Sequence, residues 1–176
     1  MAKPLSGTYP SYFEKYINLV PESDLGMAFR NQRALIDQFF YNISTDKQDY
    51  AYAPGKWTLK EMVQHIIDAE RVFNYRALAF ARKDNTSLPS FDEDSYAANA
   101  QASRRDWKSL CDELKAVRNT TEMLYNSFQE ETLGNSGIAN KNPMTVLAMG
   151  FTTIGHLYHH KKITEERYLN PVSSSV

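Results

Sequence analysis

Cysteine, glycine and proline are all scarce in this sequence of 176 residues. The lone Cys111 has no partner for an internal disulfide, which favours a reducing compartment such as the cytoplasm. Seven Gly and seven Pro residues are too few for the many turns of a β-sandwich. We therefore expect a cytoplasmic protein with an α-rich fold.

An excess of charge of either sign is also missing. Twenty Lys and Arg residues against 21 Asp and Glu residues leave a net charge of −1 at pH 7, so no overall field attracts nucleic acid or anionic lipid. No apolar run approaches the ~20 residues of a membrane-spanning helix, and the first residues do not resemble a signal peptide. We expect neither nucleic acid nor a membrane as a partner.

Apolar residues recur at helical spacing in four long segments, which predicts an all-α fold, a four-helix bundle within a single domain spanning residues 1–176. An N-terminal arm covers residues 1–22, and the helices are predicted at about residues 23–43, 58–82, 103–129 and 143–169. Thr58 and Glu61 have the spacing of a capping box at the start of the second helix. The long link between the second and third helices could cross one end of the bundle.

Three of the four histidines lie within the stretch Gly155-His-Leu-Tyr-His-His160. On an α-helix His156 and His160 lie about 40° apart on one face, whereas His159 lies about 100° from His160. A helical pair spaced i, i+4 can hold one metal ion with both imidazoles. His65, at the edge of the apolar face of the second predicted helix, is the available third ligand. Three neutral imidazoles leave coordination positions open for water or a substrate.

Two carboxylates flank His65 by roughly one helical turn. Glu61 and Asp68 are therefore candidate catalytic residues, which could orient the free ring N–H of His65 or act on a bound water. The same residues also fit a plainer interpretation, in which the helical histidine pair is a surface coincidence and His65 belongs to the core. Spacing alone leaves both interpretations open.

Several ordered stretches resemble the DinB-like (DinB/YfiT) superfamily. They are Tyr12 to Pro21, Pro54-Gly-Lys-Trp-Thr-Leu-Lys-Glu61 with the following His65 and Asp68-Ala-Glu-Arg71, Leu88-Pro-Ser-Phe-Asp-Glu-Asp94, and the last histidine stretch. The resemblance implies an up-and-down-type four-helix bundle with a divalent metal, often nickel or zinc. It assigns the metal to one histidine of the second helix and a His-x-x-x-His pair of the last, which are His65, His156 and His160 here.

The resemblance also implies homodimers and thiol-dependent enzymes such as bacillithiol and mycothiol transferases and maleylpyruvate isomerase. We therefore predict a metal-dependent S-transferase that uses a low-molecular-weight thiol, or a related hydrolase, acting on a small electrophilic substrate. Lys161 and Lys162 could bind an anionic thiol or be simply solvated, and they stand where many relatives carry another polar run. The alternative is a non-catalytic, metal-binding or small-molecule-binding bundle of the stress response.

Overall fold

The computed structural model describes residues 2–170, most of which are helical. The α-helices are α1 Glu14–Ile17, α2 Leu25–Leu35, α3 Thr45–Gln48, α4 Leu59–Ala81, α5 Glu93–Ala100, α6 Trp107–Asn126 and α7 Val146–Ile163. π-Helical segments continue α2 and α7 over Ile36–Phe40 and Thr164–Leu169, and short 3-10 helices span Ser11–Phe13, Ala102–Arg104 and Glu130–Gly134. Strands β1 Ser136–Ala139 and β2 Asn142–Thr145 form an antiparallel hairpin. Within residues 2–170, no helix is long and apolar enough to cross a membrane.

The helices α2, α4, α6 and α7 pack as a four-helix bundle, which confirms the predicted fold class. Each contributes buried apolar side chains to a shared interior. The capping box at the start of α4 is present: the Thr58 backbone N–H donates to Glu61 Oε2 at 2.8 Å, and the Glu61 N–H donates to Thr58 Oγ1 at 3.2 Å. The cap holds the first turn of the helix that carries His65.

The direction of α6 differs from that in an up-and-down bundle. Glu70 of α4 accepts a hydrogen bond from Arg118 of α6. One turn further along both helices, Asn74 donates a hydrogen bond to Thr121. The two helices therefore run parallel. The link that contains α5 makes this possible, because it returns along α4 and lets α6 start at the end where α4 starts.

The other neighbours of α4 and α6 run in the opposite direction. Met62 near the start of α4 contacts Thr164 after the end of α7, which makes these two helices antiparallel. α2 is antiparallel to α6 and parallel to α7. Along the chain, the bundle helices α2, α4, α6 and α7 therefore run up, down, down and up. This finding corrects the alternating up-and-down order that the resemblance implied.

The last residues of the hairpin, 143–145, are ones that the sequence assigns to the start of the fourth helix. Asn140 and Lys141 both have positive φ, at 49° and 63°, which is the conformation of a tight hairpin turn. Pro143 therefore lies in β2 and not in a helix. The helix begins only after Thr145, whose Oγ1 accepts a hydrogen bond from the Ala148 N–H at 3.2 Å. The predicted boundary at residue 143 is wrong because the turn and the proline favour a hairpin.

The N-terminal arm docks directly onto α7. A Cβ at position 155 would collide with the carbonyl oxygen of Tyr16, so only glycine lets the arm approach this closely. Tyr16, Ile17 and Val20 are buried by this contact. Gly155 directly precedes His156, and the docked arm therefore places Tyr16 beside the histidines.

Candidate metal centre

Three histidines from two helices converge in the interior of the bundle. Nε2 of His156 lies 3.2 Å from Nε2 of His65 and 3.1 Å from Nε2 of His160. The ligand atoms of the three rings all lie within 4.8 Å of one another, and all three residues are buried. The antiparallel packing of α4 against α7 thus brings together the residues that the spacing selected. We call them the histidine cluster.

Hydrogen bonding among the rings does not account for this arrangement. A neutral imidazole has one N–H donor and one lone pair, so Nε2 of His156 acts either as a donor or as an acceptor. It cannot form well-directed hydrogen bonds with both neighbouring Nε2 atoms at once, so at least one of the two short contacts is not a good hydrogen bond. A divalent cation removes this conflict, and tetrahedral bonds of about 2.0–2.1 Å place ligand nitrogens about 3.3 Å apart. The cluster therefore fits one divalent ion.

Burial keeps the three rings neutral. Loss of solvation lowers the pKa of His65 from 6.5 to about 4, with a smaller contribution from His159. Burial, followed by repulsion from the neighbouring histidines, holds the pKa values of His156 and His160 well below 6.5. Neutral imidazole is the form that coordinates metals. At pH 7 the cluster is therefore ready to bind a cation without first losing protons.

In the metal-free protein we expect stability to fall as the pH is lowered from about 6.5 to 4. The pKa of His65 is about 4 in the folded chain and returns to about 6.5 on unfolding. The unfolded chain therefore takes up protons in this window that the folded chain does not. His65 alone should lower the free energy of unfolding by roughly 3 kcal/mol at pH 4.

Urea titrations at several pH values in the presence of a chelator measure this loss. Carboxylates also titrate in the lower part of the range, so His65→Gln serves as the control and should lose less stability than the unmodified protein. Equal pH profiles for the two proteins would contradict the prediction.

The two carboxylates predicted beside His65 lie elsewhere. Glu61 accepts hydrogen bonds from Thr58 in the capping box, and Asp68 accepts one from Gln64 Nε2 at 3.0 Å. Neither residue lines the cavity that contains the histidines. Within residues 2–170 neither carboxylate orients His160, because its Nδ1 is buried with no hydrogen-bond partner. Contrary to the prediction, the structure does not place Glu61 or Asp68 at the histidines: Glu61 caps its helix, and Asp68 is half-buried in a separate pocket that Gln64 and Arg105 also line.

Aromatic rings form the immediate surroundings of the cluster. The Trp57 ring lies 4.7 Å from His65, and the rings of Tyr16 and Phe73 lie 5.5 and 5.6 Å from His156, measured between centroids. Such a shell limits water and lowers the local dielectric constant, which strengthens electrostatic interactions at a metal. Sequence analysis missed Tyr16 as a site residue. Tyr16 lies in the N-terminal arm, within the stretch Tyr12 to Pro21 that resembles the superfamily. No helical spacing relates this arm to the histidines, so spacing could not place Tyr16 beside them.

The cluster lies in the wall of a cavity of about 440 Å³. α4 and α7 form one side, and the arm, the link before α5 and the hairpin cover the other. The lining residues are Pro10, Tyr12, Phe13, Tyr16, Trp57, His65, Ala69, Phe73, Arg76, Ser90, Phe91, Glu93, Ala139, Asn140, Asn142, Met144, Met149, His156, His159 and His160. Its size is that of a small-molecule site.

Other residues singled out in the sequence take no part in the cluster. Lys161 pairs with Glu165, and neither Lys161 nor Lys162 lines the cavity. Cys111 is fully buried, and burial raises the pKa of its thiol to about 12, so it stays protonated. His159 is half-buried against the Tyr16 ring, with the centroids 5.2 Å apart.

Fold and site together define a four-helix-bundle protein with a buried three-histidine cluster. The sequence profile of the DinB superfamily matches residues 28–163, and the chain belongs to that superfamily. Among solved structures it is similar to YfiT from Bacillus subtilis, described as a probable metal-dependent hydrolase with an unusual four-helix bundle topology. The two are 17% identical with a TM-score of 0.67, and the match covers 93% of this chain and 90% of YfiT. No curated protein matches the sequence.

Proposed function

We propose that this protein is a metal-dependent hydrolase of small molecules, with one divalent ion held by His65, His156 and His160. The observation that carries the proposal is the convergence of three buried, neutral imidazoles in the wall of an accessible cavity. The description of YfiT as a probable metal-dependent hydrolase supports the same assignment. Zinc and nickel are the ions we expect, because both accept imidazole ligands.

When bound, the ion supplies Lewis acidity, which lowers the pKa of a coordinated water or thiol and polarises a substrate oxygen. The chain supplies the other requirements. The three histidines leave part of the coordination sphere free, and the aromatic rings around them limit water. Burial raises the pKa of Tyr16, whose hydroxyl therefore stays protonated and can donate a hydrogen bond to a substrate in the cavity.

Thiol transfer is the second form of this chemistry. It requires a low-molecular-weight thiol as cosubstrate. The sequence suggested Lys161 and Lys162 as residues that could bind this thiol. Both lysines lie outside the cavity lining, and Lys161 is held in an ion pair with Glu165. This arrangement favours hydrolysis over thiol transfer as the leading form.

Metal analysis combined with an activity screen tests the proposal. We expect purified protein to retain close to one zinc or nickel ion per chain after dialysis, and to hydrolyse ester, amide or phosphoester model substrates. Activity should disappear with a chelator and return with the metal. Parallel reactions of a generic electrophile with bacillithiol, mycothiol, glutathione or no thiol separate transfer from hydrolysis.

The outcomes distinguish the alternatives. Turnover only in the presence of a thiol would replace hydrolysis by S-transfer. Bound metal without turnover in any of these reactions would favour the non-catalytic binding protein. Absence of stoichiometric metal after incubation with zinc or nickel would overturn the proposal.

A further inference from the structure

A buried arginine lines the same cavity as the histidine cluster. Arg76 is only 6% exposed. It follows His65 by eleven positions on α4, which places the two about 20° apart around the helix and about 16 Å apart along it. Ala69 and Phe73, also in the lining, lie between them on the same side. The cavity therefore extends along one stripe of α4 from an imidazole to a guanidinium.

Among residues 2–170, no carboxylate forms an ion pair with Arg76. Its Nη2 donates one hydrogen bond to the carbonyl oxygen of Pro89, at 2.8 Å. The other buried arginine of the described chain, Arg118, pairs with Glu70 at 2.8 Å. Burial without a carboxylate partner lowers the pKa of Arg76 from its usual value. A buried, uncompensated guanidinium is costly unless a ligand pairs with it.

Donors of Arg76 remain available in the cavity. A guanidinium has five N–H donors, and one contact to Pro89 leaves most of them unused. Within residues 2–170 the Nε and Nη1 atoms of Arg76 form no hydrogen bond and are not fully buried, and the residue lines the cavity. The Phe91 ring lies 5.9 Å from the centre of the guanidinium and forms an apolar wall beside it. The geometry suits a planar anionic group that accepts two hydrogen bonds.

We propose that Arg76 binds the carboxylate of a small molecule with an apolar body, whose reacting group extends toward the histidine cluster. Phe73, Phe91 and Met149 line the intervening space and match such a body. Glu93 on the cavity wall carries negative charge, which disfavours ligands with several anionic groups. The carboxylate site stands on Arg76 itself, and the statement that the bound molecule is a substrate rests on the proposed function.

Calorimetric titration with 4-phenylbutanoate and its uncharged amide tests this site. We expect the unmodified protein to bind the carboxylate roughly tenfold to a hundredfold more tightly than the amide, because charge-assisted hydrogen bonds are lost with the amide. Arg76→Gln should remove this preference while leaving amide binding unchanged, and Arg76→Lys should retain part of it. Arg82→Gln is the matched control, since Arg82 is exposed at the end of α4 and lies outside the cavity lining.

Each titration is repeated on metal-loaded and chelator-treated protein, because a carboxylate could also bind a metal ion. Retention of the preference after chelation supports Arg76 as the site, even if the protein proves to hold no metal and the proposed function fails. Loss of the preference on chelation would assign the anion to the ion and overturn the inference. Equal binding of acid and amide by the unmodified protein, no binding of either, or an unchanged preference in Arg76→Gln would also overturn it. If Arg76→Gln does not fold, Arg76→Lys and the acid–amide comparison decide the question.

Discussion

Replacing His156 by alanine is expected to abolish stoichiometric metal binding. Its Nε2 is the atom within about 3.2 Å of both other imidazole nitrogens, so its loss leaves two ligands on different helices. Because changes of residues that merely support metal ligands weaken binding by 10–100-fold, loss of a ligand should weaken zinc or nickel affinity by at least about a hundredfold. Competition with a chelating dye measures the dissociation constant, and hydrolytic activity should fall by a similar factor.

His159 provides a matched control for this substitution. It lies in the same helix and the same cavity wall, with its ring 5.2 Å from that of His160, but it is not a member of the cluster. His159→Ala should therefore keep metal affinity close to that of the unmodified protein. Circular dichroism checks that both variants remain helical. Tight zinc binding by His156→Ala, or equal loss in both variants, would show that the ion is held elsewhere.

Replacing Glu70 by alanine is expected to cause the largest loss of stability. Both oxygens of Glu70 accept hydrogen bonds from Arg118, from Nε at 2.9 Å and Nη2 at 2.8 Å, and the two side chains are 2% and 1% exposed. Thr121 donates to the same carboxylate at 2.6 Å, and Gln32 accepts from Arg118. Alanine would leave a guanidinium buried without its counter-ion, which costs about 3–5 kcal/mol of unfolding free energy.

Urea unfolding measures this loss, and the ion pair between Lys108 and Asp112 supplies the comparison. Both of its side chains are largely exposed, at 74% and 51%, so Lys108→Ala should cost far less unfolding free energy than Glu70→Ala. A similar small loss in both variants would show that the buried pair does not stabilise the bundle in the way its geometry indicates.

Local spacing predicted the parts of the protein that depend on neighbouring residues. Helical periodicity indicated the long helices, and the Thr58 to Glu61 spacing marked the start of α4. The i, i+4 pair of His156 and His160 needed only the geometry of one helix, which is why spacing selected these two members of the cluster over His159. The resemblance to the DinB superfamily supplied His65 as well, and membership in that superfamily is confirmed.

Spacing failed where a side chain had a closer partner than the expected one. Glu61 was available to His65 by helical position, but the backbone N–H and the hydroxyl of Thr58, which caps α4, bind its carboxylate first. Asp68 likewise accepts a hydrogen bond from Gln64, which is itself buried. The fourth helix was expected from about residue 143, but Asn140 and Lys141 with their positive φ values close a hairpin, and α7 begins only at Val146.

The sequence by itself determined the four long helices, the cap at the start of α4 and the pair of histidines on α7, because hydrogen bonding and side-chain position within a helix depend on residues at most a few positions apart. Only the tertiary structure decided the up, down, down, up order, the meeting of His65 with that pair, and the placement of Tyr16 and Arg76 in one cavity. These features join segments far apart in the chain, and their positions depend on how whole helices pack. Gly155 connects local sequence with tertiary structure, because the missing side chain at one position of α7 determines where the N-terminal arm docks.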